Sequence, residues 1–287
     1  MKIKMSPDKY CIIGYPLGHS LSPAIHNAAF NDLGINARYE SFEINPKDFK
    51  TKIQELKSSE MKGFNITVPY KEKIFPYLDE VEELTRQIGA VNTVLKVKDD
   101  YWKVYNTDYI GFLAPVREKL HQMQSALIIG AGGAARAVCF GLISEARLKK
   151  LTIVNRTPEK ADKLKDEVNR YGFCPVSSFD INNSAAYGER YDLIIQTTSV
   201  GIGKDNLHIP LNPVSHSHQA TIVYDLIYNP AETAFLRIAR HHGLKTINGW
   251  SMLTEQARQA FIIWTGKDFP VSMNKNLDEI YYRLLNQ

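Results

Sequence analysis

The chain has 287 residues, of which 44% are hydrophobic and 23% are charged, a composition typical of a globular protein. The formal net charge is only +4, and acidic residues are interspersed with the basic ones, so nucleic-acid binding is not predicted. A small anionic ligand suits this slightly basic balance. At about 100–200 residues per domain, the length predicts two domains.

Cysteine use and hydropathy predict a cytoplasmic protein. The three cysteines are odd in number and lack metal-binding or redox spacing, which favours free thiols in a reducing compartment. The first residues, MKIKMSPDKY, lead into an apolar run that is too short for a signal peptide. No stretch approaches the ~20 apolar residues that a membrane span needs, so no membrane contact is expected.

Strand and helix patterns alternate in the first part of the chain. Strands are predicted at CIIGYP, ARYESFEI and GFNITVP, and helices at residues 22–34, 46–58 and 71–78. Residues 90–106 predict a hairpin with its turn near Asp99-Asp100. A further helix is predicted from Asp108 to about Leu120.

The second part of the chain alternates in the same way. Strands are predicted at SALIIG, LTIVN, YDLIIQTT and TIVYDL, with helices between them and a last helix from about Asn274. Such alternation predicts an α/β fold with parallel sheets that helices cover on both faces. We predict one domain at residues 1–112, which takes back the C-terminal helices at 251–287, and a second domain at 113–250.

The stretch GYPLGHSLSPAIHNAAF joins a strand to a helix through a loop with two serines. Ser22 and Pro23 are typical of a helix start, with serine at the N-cap and proline at the first helical position. Ser20 has no such role, yet it lies beside a helix N-terminus, whose free N–H groups attract anions. The loop is therefore a candidate site for a negatively charged ligand.

A turn of small residues follows the strand SALII. It consists of Gly130, Ala131, Gly132, Gly133 and Ala134. Between a strand and a helix, such residues let backbone N–H groups approach the pyrophosphate of a dinucleotide. A glycine cluster alone also marks an ordinary tight turn, so the prediction depends on the strand and the helix around it.

The strand LTIVN ends in residues that bear on the choice of dinucleotide. Asn155, Arg156 and Thr157 stand there, with Lys160 one turn later. NAD-binding proteins tend to place an acid at this point to hold a ribose hydroxyl, whereas a guanidinium would bind a 2′-phosphate. Arg156 therefore favours NADP over NAD, the alternative being a solvated surface charge.

Several polar residues could carry chemistry, although each has a structural alternative. Asn65 and Thr67 share one face of the strand FNITVP, and Lys71 follows that strand. Taken singly, Lys71 is typical of an exposed lysine and Asp108 of a helix cap. Asn92 could simply serve the hairpin.

Taken together, the motifs resemble the shikimate dehydrogenase family. The stretches GYPLGHSLSPAIHN, GFNITVPYKEKI, GAVNTV, NTDYIGF, GAGGAARAV, NRT and NGWSMLTEQA occur in this order, from Cys11 to about Gly266. The resemblance implies NADP-dependent, reversible reduction of 3-dehydroshikimate to shikimate in aromatic amino-acid (chorismate) biosynthesis. It also implies an N-terminal α/β substrate domain and a Rossmann-type NADP-binding domain.

The resemblance further implies roles for individual residues. Lys71 and Asp108 match the catalytic pair, and Ser20 and Ser22 match the pair that binds the substrate carboxylate. The positions that hold or line the rest of the substrate are Asn65, Thr67, Asn92, Tyr228 and Gln256. The positions that contact NADP are the glycine turn, Asn155, Arg156, Thr157 and Lys160, with Thr198, Leu226, Gly249 and Met252 near the nicotinamide.

Departures from the family pattern leave alternatives open. Gln196-Thr197 stands where Asn-Ala is usual, and Asn248 and Trp250 replace more common residues. A dual-specificity quinate/shikimate dehydrogenase and a non-catalytic NADP-binding sensor are the alternatives to the implied enzyme. A homodimer is the oligomer that we consider beside a monomer.

Histidine pairs invite a metal site, which we do not predict. The pairs are His216 with His218 and His241 with His242. No nearby acid or cysteine completes a usual ligand spacing, and adjacent helical histidines point to different faces. We predict surface positions for these histidines.

Overall fold

The computed structural model describes residues 6–18, 20–171, 174–203 and 207–285. Within them the chain folds into two compact units. The first unit comprises Met1–Thr107 and Gln256–Gln287, and the second comprises Asp108–Glu255. None of the described helices is long and apolar enough to cross a membrane.

Strands and helices alternate along most of the chain. The strands are β1 (Asp8–Gly14), β2 (Ala37–Glu43), β3 (Met61–Ile66), β4 (Glu80–Val81), β5 (Thr93–Lys98), β6 (Tyr101–Tyr105), β7 (Ser125–Ile129), β8 (Lys150–Asn155), β9 (Val176–Asp180), β10 (Tyr191–Gln196), β11 (Ser217–Asp225) and β12 (Lys245–Ile247). The helices are α1 (Ser22–Asp32), α2 (Phe49–Ser58), α3 (Glu83–Ile88), α4 (Asp108–Leu113), α5 (Gly133–Glu145), α6 (Pro158–Asn169), α7 (Ala234–His241), α8 (Trp250–Thr265) and α9 (Met273–Leu285). Short 3-10 helices lie at Phe75–Tyr77, Arg117–Gln122, Ser184–Tyr187 and Pro213–His216.

The sheet of the first unit is mixed, with the strand order β2-β1-β3-β5-β6-β4. Parallel pairing, as predicted, holds for β1 with β2 and β3 and for β4 with β6, whereas β5 is antiparallel to both of its neighbours, β3 and β6. The two-residue turn of the hairpin requires the antiparallel arrangement of β5 and β6. The hairpin itself is confirmed, and Asp100 in its turn has a φ of 55°.

The sheet of the second unit is parallel throughout, with the order β12-β11-β10-β7-β8-β9. From β7 the chain builds outward in one direction through β8 and β9, then returns to place β10 on the other side. In such sheets, ligands bind beyond the carboxyl ends of the strands where the order reverses. The glycine turn after β7 lies at this point, as the Rossmann-type prediction requires.

Two predicted helices are shorter in the structure because of proline. The helix predicted at 71–78 is reduced to turns and a 3-10 helix that contains Pro76. The helix predicted from Asp108 to Leu120 ends at Leu113, two residues before Pro115, and a 3-10 helix follows it. Proline lacks an N–H and disfavours helical backbone in the residue before it, so each helix is interrupted.

Each unit has an apolar core of its own. In the first, the Phe64 ring meets the buried Trp102 edge-on, with 5.1 Å between centroids. In the second, Phe112 stacks on Tyr224 at 5.4 Å. The C-terminal chain is attached to the first unit, since Asp32 at the end of α1 accepts a 2.7 Å hydrogen bond from Asn276 of α9.

Candidate functional site

The two serines of the first loop have different surroundings. Helix α1 begins at Ser22, and Leu21 occupies the N-cap without a side-chain cap bond, so the predicted N-cap role of Ser22 is wrong. The half-buried Ser20 instead accepts a hydrogen bond through Oγ from the Ser22 N–H, at 3.4 Å. The Ser22 side chain is buried and hydrogen-bonded to Tyr39 of β2.

Tyr39 connects this helix start to the centre of the sheet. Its hydroxyl donates a 2.7 Å hydrogen bond to Oδ1 of Asn65 in β3. The Asn65 amide nitrogen donates in turn to the backbone oxygen of Asn92 at 3.0 Å and to Oγ1 of Thr93 at 3.1 Å. Burial raises the pKa of Tyr39 well above its usual value, so the hydroxyl keeps the proton that it donates.

Asn92 extends the same set of hydrogen bonds well beyond the hairpin. Its Nδ2 donates to Oγ1 of Thr107 at 2.9 Å and to Oε1 of Gln256 on α8 at 3.4 Å. Its Oδ1 accepts from the Thr107 N–H at 2.7 Å and from the Thr93 hydroxyl at 3.0 Å. We call the set the polar cluster; its members are Ser22, Tyr39, Asn65, Asn92, Thr93, Thr107 and Gln256.

The structure brings four predicted substrate residues into the polar cluster and adds others that the sequence analysis missed. The predicted members are Ser22, Asn65, Asn92 and Gln256, and the missed members are Tyr39, Thr93 and Thr107. Thr107 directly precedes Asp108 in the motif NTDYIGF, and this position was the available signal. Tyr39 gave no signal beyond the alternation of its strand.

Three further predicted substrate residues are Thr67, Lys71 and Asp108. Thr67 follows β3, and its N–H donates to the Ile13 oxygen at 2.9 Å. Lys71 is half-buried rather than exposed, and its backbone oxygen accepts from the Val91 N–H at 2.8 Å. Asp108 is buried and begins α4, in the second unit.

The glycine turn after β7 requires its first glycine. Gly130 has a φ of +115°, and a Cβ there would lie 2.4 Å from Oγ1 of Thr197. The Thr197 hydroxyl and N–H both donate to the Ile129 oxygen, at 2.7 and 2.9 Å. The turns after β7 and β10 are therefore packed together, and no side chain fits between them at residue 130.

The start of α5 is suited to an anion. Gly132 occupies the N-cap of this 13-residue helix, and within the described part of the chain no side-chain cap hydrogen bond is formed there. A Cβ on Gly132 would meet nothing within 4 Å, so the space before the helix is open. Free N–H groups and the helix dipole at such a position bind phosphate groups, so the residues present fit a dinucleotide pyrophosphate.

The residues after β8 stand at the start of a second helix. Asn155 ends the strand, and its Nδ2 donates to the Thr157 oxygen at 2.9 Å. Thr157 occupies the N-cap of α6 without a side-chain bond, and Arg156 and Lys160 are exposed. Two cationic side chains at a helix start can reach a phosphate from solvent.

The departure at Gln196 is accommodated by the turn that follows β10. Gln196 is fully buried, and its Oε1 accepts a 2.6 Å hydrogen bond from the N–H of Thr198. Its Nε2 donates to the Val200 oxygen at 2.9 Å. The amide thus fixes the backbone of half-buried Thr198, one of the residues predicted near the nicotinamide.

The remaining residues predicted near the nicotinamide come from two adjoining segments. A Cβ on Gly249 would lie 2.0 Å from the backbone oxygen of Leu226, so only glycine fits there. The departure at Asn248 is used as well, since its Nδ2 donates to the Ala231 oxygen at 3.0 Å. Met252 on α8 is half-buried.

Tyr228 lies in the loop after β11, in the part of the chain that forms the second unit. The residue is half-buried, and burial raises the pKa of its hydroxyl. The hydroxyl is therefore protonated at neutral pH and can donate a hydrogen bond.

The prediction of surface histidines is wrong for one of them. His216 is buried and stacks on Tyr187, with 5.0 Å between ring centroids. His218 is partly buried, and its Nε2 lies 3.0 Å from Oδ1 of Asp192 in a hydrogen bond. His241 is exposed as predicted. Among the described residues, no group of three or more histidines, cysteines and acids is arranged to hold a metal ion.

Family comparisons agree with the two-unit architecture. Residues 12–94 match the family described as shikimate dehydrogenase substrate binding domain. Residues 114–202 match the family described as shikimate / quinate 5-dehydrogenase. A protein of Caldanaerobacter subterraneus subsp. tengcongensis named shikimate dehydrogenase (NADP(+)) is 40% identical over 278 residues, which cover 94% of this chain and 95% of the relative.

Solved structures are similar over nearly the whole chain. Shikimate 5-dehydrogenase from Listeria monocytogenes, in complex with shikimate and NAD, has a TM-score of 0.85 and 30% identity, covering 99% of this chain and 98% of the other. The enzyme from Thermus thermophilus, in complex with NADP(H) and shikimate, has a TM-score of 0.82 and 33% identity, covering 97% and 100%. This chain belongs to the shikimate dehydrogenase family.

Proposed function

We propose that this chain catalyses the reversible, NADP-dependent reduction of 3-dehydroshikimate to shikimate in aromatic amino-acid biosynthesis. The observation that carries the proposal is the 40% identity, over 94% of the chain, with a relative named shikimate dehydrogenase (NADP(+)). The solved relative in complex with NADP(H) and shikimate supports the same substrate and cofactor.

The two units would divide the work. We assign substrate binding to the first unit, which the sequence delimits at 1–112 with 251–287, and NADP binding to the second, delimited at 113–250. The family match at 12–94, described as a substrate binding domain, supports the first assignment. The open helix start after β7 supports the second.

In this proposal, the first unit supplies most of the polar groups that recognise the substrate, and Tyr228 comes from the second unit. Ser20 and Ser22 bind the carboxylate through their hydroxyls. The amides of Asn65, Asn92 and Gln256, with Thr67 and Tyr228, bind or line the ring with its hydroxyls. Because the amides are already held by the polar cluster, little orientational freedom is lost when the substrate binds.

Lys71 and Asp108 would carry the chemistry. NADPH, when bound, supplies the hydride to the carbonyl carbon of 3-dehydroshikimate. Negative charge develops on the carbonyl oxygen, and the Lys71 ammonium stabilises it and donates the proton that completes the hydroxyl. Asp108 accepts a hydrogen bond from the substrate hydroxyl. In the reverse direction, Lys71 takes the proton back.

The second unit would hold NADP along the carboxyl ends of its strands. The N–H groups of the turn at 130–134 bind the pyrophosphate, and Arg156 with Lys160 binds the 2′-phosphate, flanked by Asn155 and Thr157. The nicotinamide end would lie against Thr198, Leu226, Gly249 and Met252.

The proposal is tested by measuring initial rates with shikimate and quinate, each with NADP and with NAD. We expect turnover that strongly favours shikimate with NADP. Comparable rates with quinate and NAD would favour a dual-specificity enzyme. Binding of NADP without turnover of either acid would favour the non-catalytic sensor.

Two expectations accompany the proposed reaction. Cytoplasmic location is checked by fractionating the cells that produce the protein. A homodimer is checked by sedimentation equilibrium, where the mass of a single chain would contradict it.

A further inference from the structure

A buried carboxylate that the proposed reaction does not use lies at the end of β11. Asp225 is fully buried, its Oδ1 accepts a 3.0 Å hydrogen bond from the Ile227 N–H, and its Oδ2 accepts a 2.6 Å bond from the Thr233 hydroxyl. Thr233 is the N-cap of α7 and accepts in turn from the Leu236 N–H at 3.3 Å. No ion pair reaches Asp225 among the residues that the structure describes.

A carboxylate in this position is costly for stability alone. Burial disfavours the charged form and raises the pKa of Asp225 to about 6. In return, the negative charge strengthens both hydrogen bonds, and it is attracted to the positive N-terminal end of the α7 dipole. The two donors stand six residues apart, so a single side chain closes the loop at 226–232 at both of its ends.

That loop carries two residues assigned to the ligands, Leu226 and Tyr228. Its interior is held from the other side, because the Gly249 N–H donates to the Ile227 oxygen at 3.0 Å. The side chain of Asn248 likewise donates to the Ala231 oxygen at 3.0 Å. The loop backbone is therefore held by hydrogen bonds from Asp225 near its ends and from residues 248–249 in its middle.

We propose that Asp225 is a positioning residue that fixes the loop at 226–232, so that Leu226 and Tyr228 hold the nicotinamide and the substrate in the orientation that hydride transfer requires. The inference rests on the proposed function and deepens it. Asp225 itself touches neither ligand. It acts through Ile227 and Thr233. A displacement of about 1 Å in the loop residues that contact the ligands is enough to slow hydride transfer markedly.

The test compares isosteric variants along this chain of contacts. Asp225→Asn removes the charge, Thr233→Val removes the hydroxyl, and Thr233→Ser keeps it. We expect the first two to lower kcat/KM for shikimate about tenfold, with the Kd of NADP changed less than about threefold, because most of that affinity comes from the phosphates. Thr233→Ser should restore at least about half of the wild-type kcat/KM.

Asp192→Asn is the matched control. Asp192 is also a carboxylate of the second unit, but it accepts from the backbone N–H groups of Gln124 and Ser125 at the opposite ends of the strands. The control should lower the thermal midpoint and leave kcat/KM unchanged. Should Asp225→Asn do only the same, Asp225 is structural and the inference is overturned.

A second readout does not depend on activity. Amide hydrogen exchange at Ile227 should be about tenfold faster in Asp225→Asn and unchanged in Asp192→Asn. Only the first substitution removes the charge of the oxygen that accepts the Ile227 N–H. Unchanged exchange in both variants would overturn the positioning role even if the proposed function holds. Absence of shikimate turnover in the wild-type protein would overturn the proposed function, and with it the catalytic part of the inference.

Discussion

The groups to which we assign ligand binding differ in kind between the two units. In the first, the polar cluster consists of side chains that bind one another and are mostly buried. In the second, the turn after β7 offers backbone N–H groups made accessible by glycine, and Arg156 and Lys160 stand exposed. Directional amides suit hydroxyls at fixed positions on a ring, whereas open N–H groups and mobile cations suit phosphate charge.

The two units should therefore differ in how substitutions affect the stability of the protein. A member of the polar cluster that loses its partner leaves a buried polar atom unsatisfied, which costs about 1–3 kcal/mol. An exposed cation that is removed costs the folded protein little, because exposed charges contribute about 0–1 kcal/mol to stability. Substitutions in the polar cluster should therefore affect both stability and activity, and those at the residues proposed to bind phosphate should affect cofactor affinity alone.

The largest expected effect tests the proposed role of Lys71, which lies in the first unit. Lys71→Ala should lower kcat about 10²–10⁴-fold, because it removes the proton donor and the positive charge near the carbonyl oxygen. Lys73→Ala, at an exposed lysine two residues on, is the matched control and should keep kcat near the wild-type value. Comparable losses in both variants, measured by steady-state rates, would contradict the assignment.

Acid should destabilise the first unit through His26, which stacks on Tyr39 at 4.5 Å between ring centroids. His26 is fully buried, and its ring nitrogens have no hydrogen-bond partner among the residues that the structure describes. Burial lowers its pKa to about 3. The unfolded chain takes up a proton near pH 6.5, so stability is lost as pH falls below that value, by about 3 kcal/mol at pH 4.

The histidine effect is measured by urea unfolding at a series of pH values. His26→Leu should flatten the fall in the free energy of unfolding between pH 7 and pH 4. His241→Gln, at an exposed histidine, should leave it in place. An identical slope in His26→Leu and the wild-type protein would show that His26 does not cause the loss.

A smaller effect is expected at the exposed cations of the second unit. Arg156→Ala should raise the KM for NADP about 10–100-fold, since a charge-assisted hydrogen bond contributes about 1.5–3 kcal/mol. The KM for NAD, which lacks the 2′-phosphate, should hardly change. Arg170→Ala is the control, because Arg170 is the exposed C-cap of α6, the helix that begins just after Arg156. An equal rise for both cofactors would break the assignment of Arg156 to the phosphate.

The smallest expected effect concerns a single hydroxyl of the polar cluster. Tyr39→Phe leaves Oδ1 of Asn65 without its 2.7 Å donor, so we expect about a tenfold lower kcat/KM and about 1 kcal/mol less stability. Tyr10→Phe is the control, because Tyr10 is buried in the neighbouring strand and its ring packs on Phe30 and Trp264. Equal losses in both variants would mean that the cluster does not orient the substrate groups.

Local patterns allowed much of the fold and of the candidate site to be predicted. Periodicity identified most strands and helices, and the small residues between β7 and α5 predicted the glycine turn that joins this strand to this helix. The same patterns did not predict features that depend on contacts with other parts of the chain. They did not reveal that β3 pairs with β5 in antiparallel fashion, that Pro76 reduces a predicted helix to a single 3-10 turn, or that His216 is buried.

The sequence by itself determined which residue types occur at strand ends and helix starts, because those signals depend on a few adjacent positions. Only the tertiary structure decided which of them meet: Asn92 and Gln256 are 164 positions apart, and Tyr39 reaches Asn65 across the sheet. Asp225 and Thr233 likewise look unrelated until the loop closes on them. Periodicity specifies the face that a side chain occupies, whereas its partners depend on strand order and burial, which arise when distant segments pack together.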